Sequence, residues 1–131
     1  MDMVLHGDNK VKKSPLWKSI SYAFAGIIAV AKNERNFQIH LAASVIAIVF
    51  SLYLSISKTE WLFILIAIGG VLSLELVNSA IERVIDLVTS EYHPLAKQAK
   101  DFAAGAVLVY AIMAAAVGLV IFLPKIVHLF L

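Results

Sequence analysis

The stretch that decides the architecture is residues 61–86, WLFILIAIGGVLSLELVNSAIERVID. It carries no charge from Trp61 to Leu74, then continues at helical spacing with Glu75, Asn78, Glu82 and Asp86. A hydrocarbon core of about 30 Å takes about 20 helical residues, so a helix entering at Trp61 holds Glu75 a turn or two inside the far boundary. Glu82 and Asp86 then fall at or beyond that boundary. At about 100° per residue, Asn78 lies about −60° from Glu75, Ser79 about +40°, Glu82 about −20° and Asp86 about +20°. One stripe therefore carries every polar group except Arg83, while Leu76, Ala80, Val84 and Leu87 face away. An acidic side chain at the depth of Glu75 costs on the order of a few kcal/mol unless it is paired or neutralised. The stripe is a candidate site.

Working outward, residues 37–57 (FQIHLAASVIAIVFSLYLSIS) predict a span before this one, with His40 near its start. The loop Ser57-Lys58-Thr59-Glu60 turns the chain back, so the second span, 61–90, runs antiparallel to the first. A polar connection, 91–100 (EYHPLAKQAK), leads to a third span over 102–123, closed by Pro124 and Lys125. Upstream, 1–15 is polar and Lys-rich. In 16–33, Leu16, Ile20, Phe24, Ile27 and Ala31 recur on one face, with Trp17 and Tyr22 as interfacial anchors. That segment predicts an amphipathic surface helix. Its Lys-rich start and Ala29-Val30-Ala31 also fit a cleaved signal peptide, the less favoured reading. The expected fold is all-α and integral to the membrane, one domain with three transmembrane helices and an N-terminal surface helix.

Composition agrees. Of 131 residues, 61% are hydrophobic and 15% charged, against about 25% charged in soluble proteins. With no cysteine, disulfides, thiolate metal sites and Cys nucleophiles are excluded. A net charge of +2 is too small to suggest nucleic acid. The positions of the cations matter more. Lys10, Lys12, Lys13, Lys18, Lys32 and Arg35 precede the first span, and Arg83, Lys97 and Lys100 surround the second connection. Only Lys58 and Lys125 mark the other side. The positive-inside rule places the N-terminus and second connection in the cytoplasm and the C-terminus outside.

This topology brings charged groups from three helices to one surface. Glu34 stands before the first span, Lys100-Asp101 before the third, and Glu82 and Asp86 at the end of the second. Glu34, Glu82, Asp86 and Asp101 are expected to form a carboxylate cluster beside Lys100. Oxygen ligands in a partly hydrated site suit Mg²⁺, which keeps waters and shares its shell with phosphates. Glu75, deeper and drier, suits a general base. A plainer reading gives Asn78 and Ser79 to helix–helix adhesion, Arg83 and Lys97 to the interface, and His40 to a backbone hydrogen bond. No P-loop motif is present, and Gly69-Gly70 lie in mid-span.

The run Glu75-Leu-Val-Asn78-Ser79-Ala-Ile-Glu82-Arg-Val-Ile-Asp86 resembles the signature E-x-x-N-[ST]-A-x-E-x-x-x-D of the prokaryotic diacylglycerol kinase family. Ser90-Glu91-Tyr92-His93 and Ala99-Lys100-Asp101 resemble its next motifs, and Asn33-Glu34-Arg35-Asn36 with His40 its Gram-positive branch, whose members act as undecaprenol kinases. The resemblance covers about residues 15–123. It implies a homotrimer in the bacterial inner membrane, with active sites shared between subunits, that uses ATP and Mg²⁺. It implies Glu75 as catalytic base on the lipid hydroxyl and Glu34 and Glu82 as metal ligands that also contact nucleotide. It further implies nucleotide contacts for Asp86, Glu91, Tyr92, His93, Lys100, Asp101 and Tyr22, with Asn78 and Ser79 supporting the site. Where the Gram-negative branch carries an arginine near the start of the surface helix, this chain aligns Pro15, so no nucleotide contact carries over there.

The expected function is therefore ATP- and Mg-dependent phosphorylation of a membrane lipid alcohol, with undecaprenol preferred to diacylglycerol. A lipid phosphatase would want a nucleophile or a His/Arg cluster, which the chain does not offer. A small proton or cation carrier using Glu75 would have no need of Lys100-Asp101. A passive assembly subunit would have no affinity for ATP.

Overall fold

A computed structural model of the protein describes residues 15–131, so the polar stretch 1–14, with Lys10, Lys12 and Lys13, lies outside the described residues. Four helices follow one another: α1 (Leu16–Asn33), α2 (Arg35–Tyr53), α3 (Lys58–Val88) and α4 (Pro94–Phe130). The last three are each long and apolar enough to cross a membrane. Many of their large apolar side chains point away from the protein, among them Leu62, Ile66 and Val120. Such a surface is stable against lipid or further protein, not against water.

Glu34 alone separates α1 from α2, in an extended conformation (φ −104°, ψ 111°). Gln38 braces this corner from the first turn of α2, its amide donating to the Ala31 and Lys32 carbonyls at 3.0 and 3.2 Å. These are carbonyls that the end of α1 leaves without helical partners.

The turn from α2 to α3 uses Ser55 at φ 48° and a capping box. The Ser57 hydroxyl accepts the Glu60 N–H, and the Glu60 carboxylate accepts the Ser57 N–H at 2.7 Å. Lys58, Thr59 and Glu60, expected in the loop, therefore form the first turn of α3. Lys125 closes this end from α4, 3.2 Å from Glu60.

The three long helices pack along seams that recur every seven residues, the spacing of left-handed helix packing. The seam residues are Phe37, Ser44 and Ser51 on α2, Ile64, Val71 and Asn78 on α3, and Val107 and Ile121 on α4, all buried. Small residues let helices approach closely inside a membrane. Ser44 and Ser51 satisfy their hydroxyls on their own helix, each donating at 2.7 Å to the carbonyl four residues back. Gly70 of α3 makes room for the Tyr110 ring of α4, where any Cβ would overlap it, and the Tyr110 hydroxyl donates to the Ile66 carbonyl at 3.0 Å.

Two helix ends differ from expectation. Pro94, expected within a connection, is the first residue of α4, because proline's fixed φ and missing N–H suit that position. Pro124, expected to close the last helix, lies inside it, and α4 runs on to Phe130. The apolar residues after Pro124 continue to favour a helix, and one missing N–H is tolerated inside membrane helices. At about 1.5 Å per residue, the 31 residues of α3 and 37 of α4 extend about 46 and 55 Å. Both exceed the hydrocarbon core of about 30 Å. The excess length of α3 and the start of α4 hold the charged residues beyond the apolar slab.

Candidate active site

Two hollows lie along the charged end of the bundle. The inner one, about 270 Å³, lies between α2, α3 and α4 and is lined by Asn36, His40, Glu75 and Asn78 with apolar residues of α4. The outer one, about 560 Å³, lies where α3 ends and α4 begins. It gathers Asp86, Glu91, Tyr92, His93, Lys100 and Asp101.

Glu75 is the deepest charged group, with its side chain 4% exposed. Its Oε1 lies 3.3 Å from Nε2 of His40 on α2. One turn along α3, the Asn78 amide nitrogen donates to Glu82 Oε1 at 3.1 Å. A carboxylate only accepts, so this bond settles which way the amide faces. It leaves Asn78 Oδ1 buried and without a partner. The inner hollow thus sets Glu75 and Asn78 against walls of apolar side chains. It shares Ile39, His40 and Ala111 with an apolar slot of about 430 Å³ that runs deeper into the bundle.

Glu82 lies two turns along α3 from Glu75, and Glu34 stands at the start of α2. Glu34 Oε1 accepts from Arg83 at 3.4 Å, a long and half-exposed pair of the kind worth about 0–1 kcal/mol. In the outer hollow Lys100 lies 2.6 Å from Asp86, and Lys97 pairs with Asp101 one turn along α4. The Lys100 ammonium donates to the Asp86 carboxylate across the α3–α4 junction. His93 caps α4, its Nδ1 accepting the Leu95 N–H at 3.2 Å.

The residues singled out in the sequence thus fall into groups. Glu75 and Asn78 share the inner hollow, and six of the nucleotide candidates share the outer one. Glu82 lies further along α3, and Glu34 at the start of α2. Ser79 is buried but lines neither hollow, and Tyr22 stands 65% exposed on α1, away from both. The four carboxylates do not form one cluster. Among the described residues no three His, Asp or Glu side chains converge as a metal cage; Glu34, Asp86 and Asp101 each pair with a cation, and Glu82 with the Asn78 amide. Several pairings were not foreseen, among them His40 with Glu75 and Arg83 with Glu34. A signal for His40 was present, since it shares the seam face of α2 with Phe37 and Ser44.

The sequence model of the prokaryotic diacylglycerol kinase family matches residues 21–122, which contain every residue of both hollows. The chain belongs to that family. It is 47% identical over 118 residues to the undecaprenol kinase of Bacillus subtilis, covering 90% of this chain and 96% of that one. It is 40% identical over 112 residues to a diacylglycerol kinase of Synechocystis, covering 85% and 64% of the two chains. To the diacylglycerol kinase of Escherichia coli K12 it is 34% identical over 97 residues, covering 74% and 80%.

As a member of the prokaryotic diacylglycerol kinase family the protein is a lipid kinase, a multi-pass membrane enzyme with ATP as phosphoryl donor. The carrier and passive-subunit readings fall with that membership. Gly69 and Gly70 lie inside α3 and form no phosphate loop.

Proposed function

We propose that this kinase phosphorylates the hydroxyl of undecaprenol at the inner hollow, with Glu75 as the base. The observation that carries the reading is the Glu75 carboxylate in the inner hollow, which adjoins an apolar slot through Ile39, His40 and Ala111. An alcohol donates to a carboxylate, and a long hydrocarbon tail suits the slot. The identity to the Bacillus subtilis undecaprenol kinase favours a polyprenol. Diacylglycerol is the alternative acceptor, supported by the relatives that carry that name.

In the transfer, the Glu75 carboxylate takes the hydroxyl proton as the lipid oxygen forms its bond to the γ-phosphorus. The bond from that phosphorus to the bridging oxygen breaks, and ADP leaves with the electron pair. Asn78 holds Glu82 from below and leaves its second carboxylate oxygen free. Glu34 exchanges its weak pair with Arg83 for the incoming nucleotide. Lys100, with Asp86, Glu91, Tyr92, His93 and Asp101 around it, meets ATP in the outer hollow.

Glu34 and Glu82 are hard oxygen donors from two elements, and this donor set fits Mg²⁺ that keeps its waters and phosphate oxygens. Bound there, Mg²⁺ would supply neutralising charge to the phosphates of ATP. The further parts of the reading follow from the sequence. α1 lies on the cytoplasmic face of the inner membrane, with Tyr22 reaching the nucleotide of a shared site. The N-terminus is cytoplasmic, and three copies assemble through the apolar faces of α2–α4.

The test is phosphoryl transfer by the purified protein from γ-labelled ATP to undecaprenol and to diacylglycerol, offered in matched micelles. Labelled undecaprenyl phosphate is the expected main product. Label confined to diacylglycerol would overturn the choice of acceptor.

A further inference from the structure

The geometry points to His40 as the residue that positions Glu75 for catalysis, an assignment that rests on the base role proposed above. Among the described residues, His40 is the only side chain paired with the Glu75 carboxylate. They belong to different helices, so the contact is made by the fold and not by local sequence. Each side is seated. The Ser44 hydroxyl donates to the His40 carbonyl at 2.7 Å, Phe37 one turn before it is 3% exposed, and Glu75 sits in the α3 seam between Val71 and Asn78.

A base must be held within about 0.5 Å of its working geometry, and a misplacement of about 1 Å costs about 10²-fold in rate. A glutamate has three side-chain torsions, and the apolar walls around Glu75 offer little to restrain them. An imidazole N–H turned onto Oε1 would fix the carboxylate plane and leave Oε2 for the hydroxyl. The resting distance of 3.3 Å is long for a hydrogen bond, and catalytic contacts of this kind shorten when substrate is bound. An imidazole suits the place better than lysine or arginine, whose charge is permanent. It donates without the fixed positive charge that would draw the carboxylate into a permanent ion pair. His40 lines both the inner hollow and the apolar slot, so it stands at the point where a lipid headgroup meets its tail. It transfers no proton itself.

The test compares kcat and both KM values of the full-length protein in lipid nanodiscs for the parent, His40→Leu, His40→Gln, Glu75→Gln and the double variant His40→Leu/Glu75→Gln. Leucine is favoured in a membrane helix, so His40→Leu preserves insertion. His40→Leu is expected to lower kcat by about 10²-fold with KM for ATP unchanged. His40→Gln, which keeps an N–H near the position of Nε2, is expected to be roughly tenfold faster than His40→Leu. On the Glu75→Gln background, His40→Leu is expected to cost less than about twofold more, because coupled residues are not additive. Parental kcat in His40→Leu, no gain from glutamine, or full additivity in the double variant overturns the positioning role. A parental rate in Glu75→Gln overturns the base assignment itself, so the two failures are separable.

Discussion

The Lys100 ammonium of α4 lies 2.6 Å from the Asp86 carboxylate of α3, across the junction where one helix ends and the next begins. The pair is open to solvent, so it adds little to stability. Its worth is in placing one cation at the wall of the outer hollow. Lys100→Met is expected to raise KM for ATP by roughly 10- to 100-fold, the loss of one charged hydrogen bond. Thermal stability should hardly change. Isothermal titration with ATP and a melting curve check this, and an unchanged KM removes Lys100 from the nucleotide.

Glu82 is held by Asn78 on one oxygen and is expected to offer the other to the metal–nucleotide complex. Glu82→Gln should weaken Mg-ATP binding and abolish turnover, since an amide is a poor ligand for a hard cation. A Mg²⁺ titration of activity reads this out. Parental activity at low Mg²⁺ would show that Glu82 does not hold the metal.

Glu75→Gln keeps the shape of the side chain but accepts no proton. A positioned base contributes about 10²- to 10⁴-fold, so kcat should fall by that factor. ATP affinity should stay near the parental value, because the interaction lost belongs to the transition state. Equal losses in kcat and in ATP affinity would instead mark Glu75 as part of the nucleotide site.

Gly70 and Tyr110 offer a test of packing alone. Any Cβ at position 70 would overlap the Tyr110 ring, so Gly70→Ala should destabilise the α3–α4 pair by about 1–3 kcal/mol. Truncating the ring relieves the clash, so Gly70→Ala should be nearly harmless on a Tyr110→Ala background. Detergent-denaturation curves of the two single variants and the double one check this. Simple additivity would mean that the two positions do not meet.

The division between what was legible in the chain and what was not follows from the range of the forces involved. Three long apolar segments, the polar stripe of α3 and the depth of Glu75 were readable from sequence, because helical period and span length are local properties repeated over many residues. The family signature around Glu75, Asn78, Glu82 and Asp86 was readable for the same reason, being contiguous. Helix ends were read less well. Pro94 begins α4 and Pro124 does not end it, since a proline's effect depends on which backbone partners surround it. The partners of the charged groups were decided by tertiary structure alone. His40 was expected to bond to the backbone, yet it faces Glu75 from a helix 35 positions away in sequence. The four carboxylates were expected as one cluster, yet Arg83, Lys97 and Lys100 each take one of them and Asn78 holds the fourth, Glu82. Pairing of charges depends on distances of a few ångströms between helices. Those distances come from how the seams of α2, α3 and α4 interlock, and no single segment of the chain contains them.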